Sequence, residues 1–303
     1  MKNAQASRTA KVIAASTILL DSEQDPEPKV APGAAELCEI FLSGTWTDRC
    51  LASSARCPLT RALWRCLERW TLPGIITHYW ARKRWIESRC RNAIAAGAER
   101  LVILGAGFDT LGIRLAREFK NLQVVEIDHP ATQRAKKSAL FTRSIEVPEN
   151  FHWQEADLMR DSFPAHAFGT QVTACIMEGV LMYLPQKNIS ALLESLHQTP
   201  AERLILIFSF MSRYPSGRVG FRPHSRLIEL WLAWSKEPFT WAMSPAKIDD
   251  FLTSHDFKQS EMALTREFRD EGSALEGENL IVCERQPRPA RVPQAVKEQS
   301  QFT

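Results

Sequence analysis

Residues Leu101–Leu115, LVILGAGFDTLGIRL, run from an apolar tetrapeptide through two closely spaced glycines to an acid and an amphipathic segment. A short apolar run ending in glycine reads as a buried strand and a tight turn, and LGIRLAREF reads as the helix that follows. The unit then repeats. LQVVEID (122–128), ACIME (174–178) and RLILIFSF (203–210) are further apolar runs, separated by the helix-like ATQRAKKSALF and ISALLESLHQ. Strands alternating with helices predict a parallel sheet covered on both faces. Near the end, DDFLTSHDF reads as helix then turn. KQSEMAL and ENLIVCER are then two strands with no helix between them, an antiparallel hairpin at one sheet edge. The fold class expected is α/β, Rossmann-like, with a terminal antiparallel hairpin.

Upstream of Arg100 the pattern is helical. In Pro58–Trp70 the residues Leu59, Ala62, Leu63, Cys66, Leu67 and Trp70 share one helix face, so that face is expected in the core. A second helix is expected within HYWARKRWIESRCRNAIAAG, closed by Gly97. KVIAASTILL (11–20) has the basic flank and short apolar core of a signal peptide. It lacks a small-x-small cleavage site and is read as an amphipathic helix. The expected organisation is a helical N-terminal cap over 1–99 and a core over 100–285, with a lid insertion near 211–245. A polar, proline-rich tail over 286–303 is expected to be disordered. In the insertion, Leu227, Leu230, Trp231 and Trp234 share a helical face; core packing is the favoured reading and a lid over a ligand pocket the other.

Composition excludes little. Thirty-eight basic against 35 acidic residues leave a net charge of +3 on 303 residues, no global case for nucleic acid or a membrane surface. No apolar run approaches the ~20 residues needed to span a bilayer. The seven cysteines contain no C-x-x-C pair, so no zinc site is expected, and the chain reads as cytoplasmic with reduced thiols.

A strand–glycine turn–helix is a ligand site by geometry, because glycines admit a ligand to the backbone and the helix start offers free N–H groups. The dinucleotide fingerprint G-x-G-x-x-G is imperfect: glycines stand at Gly105, Gly107 and Gly112, with Thr110 in the third place. No G-K-[ST] follows, so a P-loop is excluded. Asp128 ends the second strand 21 residues beyond Gly107, where a carboxylate can accept both ribose hydroxyl hydrogens; Glu126 is the alternative. A nucleoside is supported without a pyrophosphate. S-adenosylmethionine fits that description.

LVILGAGFDT, VVEIDHPATQ, ADL and CIMEGVLMYLP, in that order, resemble the leucine carboxyl methyltransferase family. This is a branch of the class I S-adenosylmethionine-dependent methyltransferases that includes bacterial polyketide carboxyl methyltransferases. The resemblance covers Arg82 to Pro185 and implies a role at each matching position. Gly105 and Gly107 would lie under the methionine part of the cofactor, and Asp128 would hold the ribose. Asp157 would accept from the adenine amine and Leu158 would offer a backbone N–H. Glu178 would lie near the cofactor amino group and the reacting methyl, and Arg82 would pair with the cofactor carboxylate. Tyr183, five residues after Glu178, is a further candidate for the same cleft. Asp109 or Thr110 can be read instead as helix caps. The chain departs from the family at Leu111, where an arginine is usual; Arg114 is a candidate replacement. Arg8 and Lys11 are candidates for the family's N-terminal basic contact.

The resemblance implies methyl transfer to oxygen. A carboxylate acceptor is already an anion at neutral pH and needs no base. Arg213, Arg222, His224 and Arg226 in the lid are candidates to hold it. The main expectation is a methyl ester formed on a small-molecule acid of the specialised-metabolite or polyketide type. The alternatives are a hydroxyl or phenol acceptor with His152 or His224 as base, a protein C-terminal carboxyl, or tRNA modification. Basic residues interleaved with Trp64, Trp70, Trp80 and Trp85 would serve an RNA binder, although the spacing of Trp64 and Trp70 with Leu63 and Leu67 says core first. A nicotinamide dehydrogenase is disfavoured by the displaced glycine.

Overall fold

The computed structural model describes residues 6–23, 30–160, 163–265, 267–268 and 275–287. Five helices come first: α1 (Arg8–Ser22), α2 (Ala34–Phe41), α3 (Trp46–Arg56), α4 (Pro58–Thr71) and α5 (Ile75–Ala95). Then β1 (Arg100–Leu104), α6 (Leu111–Glu118), β2 (Gln123–Asp128), α7 (Pro130–Thr142) and β3 (Phe151–Glu155) alternate. β4 (Thr173–Met177), α8 (Gln186–His197) and β5 (Leu204–Met211) continue the pattern. The lid region contains α9 (Arg226–Ser235), and α10 (Pro245–Thr253) leads into β6 (Phe257–Leu264) and β7 (Glu278–Arg285).

The strands form one sheet in the order β3-β2-β1-β4-β5-β7-β6. β1 to β5 pair in parallel, and β7 is antiparallel to both β5 and β6. This is the Rossmann-like α/β sheet with the terminal hairpin that the sequence predicts. β6 forms the outer edge and carries a register shift between Gln259 and Glu261, a device that blunts an exposed edge.

Alternation along the strands sorts the core. Leu101, Ile103, Val124 and Ile176 face one side with Ile86 of α5 and Ile113 of α6, while Val102, Leu104, Val125 and Met177 face the other with Leu193 of α8. The winding order reverses between β1 and β4: from β1 the chain adds strands outward through β2 and β3, then returns to place β4 on the other side of β1. Ligands in such sheets bind at that switch point, outside the carboxyl ends of the strands. Gly105 and Glu178, the residues directly after β1 and β4, stand there.

Residues 11–20 lie within α1, capped by the Ser7 hydroxyl accepting from Ala10 N–H, with Ile18 and Leu19 fully buried. The expectation for α4 is overturned. Leu59, Leu63, Leu67 and Trp70 are 85, 57, 55 and 80% exposed, and Ala62 and Cys66 are exposed beside them. The helix is turned with its apolar face outward, because its polar face is pinned inward. Arg61 donates to the Ser22 carbonyl, Arg65 pairs with Glu23 and Glu68, and Glu68 accepts from Ile76 N–H at 3.0 Å. Trp64 alone of that segment packs on the core, its indole N–H donating to the Ser54 hydroxyl. The expectation of disorder falls on residues of which 288–303 lie outside the described ones.

Candidate active site

A cavity of about 1650 Å³ opens at the switch point. That exceeds the ~300–1,000 Å³ of a typical small-molecule pocket, so it has room for two ligands side by side. Arg82, Gly105, Gly107, Asp128, Asp157, Leu158, Glu178 and Tyr183 all border it.

Gly105 and Gly107 adopt φ of +65° and +55°, the left-handed region that L side chains disfavour. A Cβ on Gly105 would stand 2.5 Å from Val180 Cγ2. The turn is stitched to β2: Asp128 accepts from Gly107 N–H and from His129 N–H, each at 2.5 Å. Burial pushes the Asp128 carboxyl up despite those bonds. Asp157 follows β3 and accepts from Met159 N–H at 3.0 Å, with His129 Nε2 4.0 Å away. Glu126 is not the alternative ribose ligand. It is 1% exposed, away from the cavity, and pairs with the equally buried Lys136 at 2.7 Å.

Opposite the turn is a chain of alternating charges. Arg82 donates from Nε to Glu178 at 2.9 Å and from Nη1 to Glu278 at 2.9–3.0 Å. Lys83 reaches Glu178 at 3.1 Å and Asp109 at 2.9 Å. His78 Nε2 lies 2.7 Å from Glu278, while its buried Nδ1 has no partner. Burial alone would push the Glu278 carboxyl up; the Arg82 guanidinium and the His78 imidazole overcome it and hold it at about 2. Asp109 is desolvated too, and Lys83 holds it at about 2.

These two groups set an acid limit. A carboxylate whose folded pKa is below its unfolded value binds fewer protons when native, so its contribution is full above the unfolded pKa and fades as pH falls toward the folded one. Stability should therefore drop as pH falls from about 4.5 to about 2, with Glu278 alone responsible for about 3 kcal/mol. Urea titrations across that range check it, and Glu278→Gln should flatten the slope. Glu126, which burial raises to about 7 against the pull of Lys136, acts above that window and with the opposite sign.

Other sequence candidates fall elsewhere. Arg213, Arg222, His224 and Arg226 do not border the cavity. Arg222 stacks on Tyr214 and His224 pairs with Glu229 at 2.6 Å, both local contacts within or beside the insertion. His152 lies exposed on β3 beside Gln123. Arg8 stacks on Trp234 and Lys11 pairs with Asp48, so neither reaches the cavity. Arg114 borders it but is clamped by both oxygens of Glu87. Thr110 makes no side-chain cap on α6, and Asp109 is held by Lys83.

The insertion does cover the cavity. Phe221, Ile228, Trp231 and Phe239 line it, whereas Leu230 and Trp234 are exposed, so the shared helical face is not core. Glu237 ties the insertion to α1 by accepting from the Thr9 N–H at 3.1 Å and from the Thr9 hydroxyl. Lys83, His129, Glu278 and α1 as a cavity wall were not singled out by the sequence.

A leucine carboxyl methyltransferase family model matches residues 37–197, more than half of the chain. YktD of Bacillus subtilis (strain 168), provisionally named an S-adenosyl-L-methionine-dependent methyltransferase, is 30% identical over 149 residues, 46% of this chain and 49% of its own. The chain thus matches about half the length of that relative. Two solved structures share the fold at low identity. A DUF574 family protein from Streptomyces avermitilis MA-4680 is 13% identical with a TM-score of 0.55, over 93% of this chain and 98% of its own. A protein from Thermobifida fusca YX, provisionally named a methyltransferase, is 15% identical with a TM-score of 0.53, over 93% and 96%. With the matched segment running from α2 to the end of α8, through the glycine turn, Asp128 and Glu178, the chain belongs to the leucine carboxyl methyltransferase family.

Proposed function

We propose that this protein is an S-adenosylmethionine-dependent O-methyltransferase that forms a methyl ester on a small-molecule carboxylate. The observation that carries the reading is the pairing, in one cavity, of a glycine turn tied to Asp128 with the Lys83–Glu178–Arg82 charge chain. The residues fit the cofactor. Gly105 can carry no side chain without striking Val180, and Asp128, at the end of β2, and Asp157, two residues after the adjacent β3, would accept from a ribose and an adenine amine.

When bound, S-adenosylmethionine supplies an electrophilic methyl group on a sulfonium. The chain's own residues position it. The Gly105 and Gly107 backbone would lie under its amino-acid part, and Leu158 N–H with Asp157 would face the adenine. Glu178 would accept from the amino group. Arg82 is buried with its donors on Glu178 and Glu278, whereas Lys83 is one-quarter exposed, borders the cavity and spends two of its three N–H donors on Asp109 and Glu178, so the carboxylate contact would pass to Lys83. Arg82 then acts as a positioning residue behind it.

A carboxylate acceptor is favoured over an alcohol or phenol because it arrives ionised. Among the described residues bordering the cavity the one histidine is His129, whose Nδ1 accepts from Ala131 N–H on the adenine side. Burial pushes the Tyr79 phenol up to about 12 and Tyr183 further still, so neither is ionised at neutral pH to serve as a base. Holding oxygen and methyl in line in a water-poor site supplies the rest. The test is transfer of a labelled methyl from S-adenosylmethionine to a panel of lipophilic carboxylic acids and matched phenols. A base-labile ester product supports the reading; a base-stable ether overturns its carboxylate part.

A further inference from the structure

Ten large apolar side chains stand exposed among the described residues, and seven of them lie on α4 and α9. Scattered exposed leucines need no explanation, but such concentration on two helices marks a contact surface. Both helices border the cavity, and Leu67 and Leu227 do so while 55% and 60% exposed, so each helix carries its exposed apolar face up to the cavity. The charge around it is one-sided. Of the five arginines in residues 46–71, Arg61 and Arg65 are held inward and Arg56 pairs with Glu39, which leaves Arg49 and Arg69 exposed, while Asp48 and Glu68 are buried. Residues 213–236 contain five basic residues against Glu229. Those two segments hold a large basic surplus in a chain whose whole net charge is only +3.

An outward-turned apolar helix face with tryptophan and arginine at its margins matches the way interfacial helices lie on lipid, aromatic rings at headgroup level and cations toward anionic lipids. A second copy of this chain fits less well. An isologous contact would set each basic rim against its like. We propose that the α4–α9 face seats this protein on an anionic lipid surface, with the cavity mouth against the boundary between headgroups and acyl chains. Such seating is independent of the reaction, and it gives a lipophilic molecule a dry path from bilayer to cavity.

The test is co-sedimentation of the full chain with phosphatidylglycerol-containing vesicles and with phosphatidylcholine vesicles, at low and high salt. Binding to the anionic vesicles is expected, weakened by salt but not abolished, since the apolar part is unscreened. Leu63→Glu and Leu230→Glu should each weaken it on the order of tenfold, the scale of one lost buried leucine. Arg69→Glu should weaken it at low salt only. Both leucines are over half exposed, so unchanged thermal unfolding will certify the fold. Failure to bind, equal binding to both vesicle types, or variants that bind like wild type would each overturn the proposal. So would sedimentation velocity showing a dimer that Leu63→Glu dissociates, which would make this face a contact between copies.

Discussion

Arg82→Met should destabilise the protein by about 3–5 kcal/mol, because it leaves two buried carboxylates without their shared cation. Arg82 is 4% exposed and bridges Glu178 after β4 to Glu278 at the start of β7. After its removal Glu178 keeps Lys83, and Glu278 keeps His78 and the Ser209 hydroxyl. Arg82→Lys should be intermediate. A lysine restores the charge but is a point donor, and it cannot address two carboxylates with a fixed fork. Urea unfolding at neutral pH measures both. The Met variant should also lose less on acidification than wild type, because the depressed Glu278 depends on the guanidinium. Equal stability of wild type and Arg82→Met would show that the charge chain does not hold the site together.

Gly105→Ala should abolish cofactor binding and cost stability through two separate causes. The left-handed conformation costs an alanine roughly 1–2 kcal/mol. The new Cβ, 2.5 Å from Val180 Cγ2, adds an overpacking cost of about 1–3 kcal/mol, since a β-branched side chain has little freedom to move away. Gly97→Ala separates the two. Gly97 has φ +95° with nothing within 4 Å of an added methyl, so that variant should show the backbone cost alone and keep cofactor affinity. Thermal unfolding with and without S-adenosylhomocysteine reads both quantities.

Much of this architecture is legible in the residues. β1, β4 and β5 are nearly continuous apolar runs because they are buried on both faces, and β2 is a buried run broken by the Lys136-paired Glu126; such runs are hard to mistake. β3 escapes notice because FHWQE buries only Phe151, as suits an edge strand. Gly105, Gly107 and Asp128 are legible because the turn and the strand end are local features. Glu178 stands out because an acid directly follows a buried run. Lys83 does not, since it sits in the basic run Ala81–Trp85 and nothing local separates a cation paired with Asp109 from one facing solvent. Glu278 joins Arg82 across 196 residues of chain, a distance over which no spacing rule operates. α4 shows the limit of amphipathicity most clearly. Periodicity reveals which side chains share a face, but which face points inward was decided by Arg61 and Arg65 finding partners at the end of α1.

Every role given to these residues rests on S-adenosylmethionine occupying the cavity at the β1–β4 switch point. The most direct test is thermal unfolding of the full chain with S-adenosylhomocysteine, with NAD and with neither. A ligand that binds only the folded state adds roughly 2.7 kcal/mol at a hundred times its dissociation constant. A clear rise with S-adenosylhomocysteine alone, lost in Gly105→Ala, is the predicted result; a rise with NAD alone, or an undiminished rise in Gly105→Ala, would contradict it.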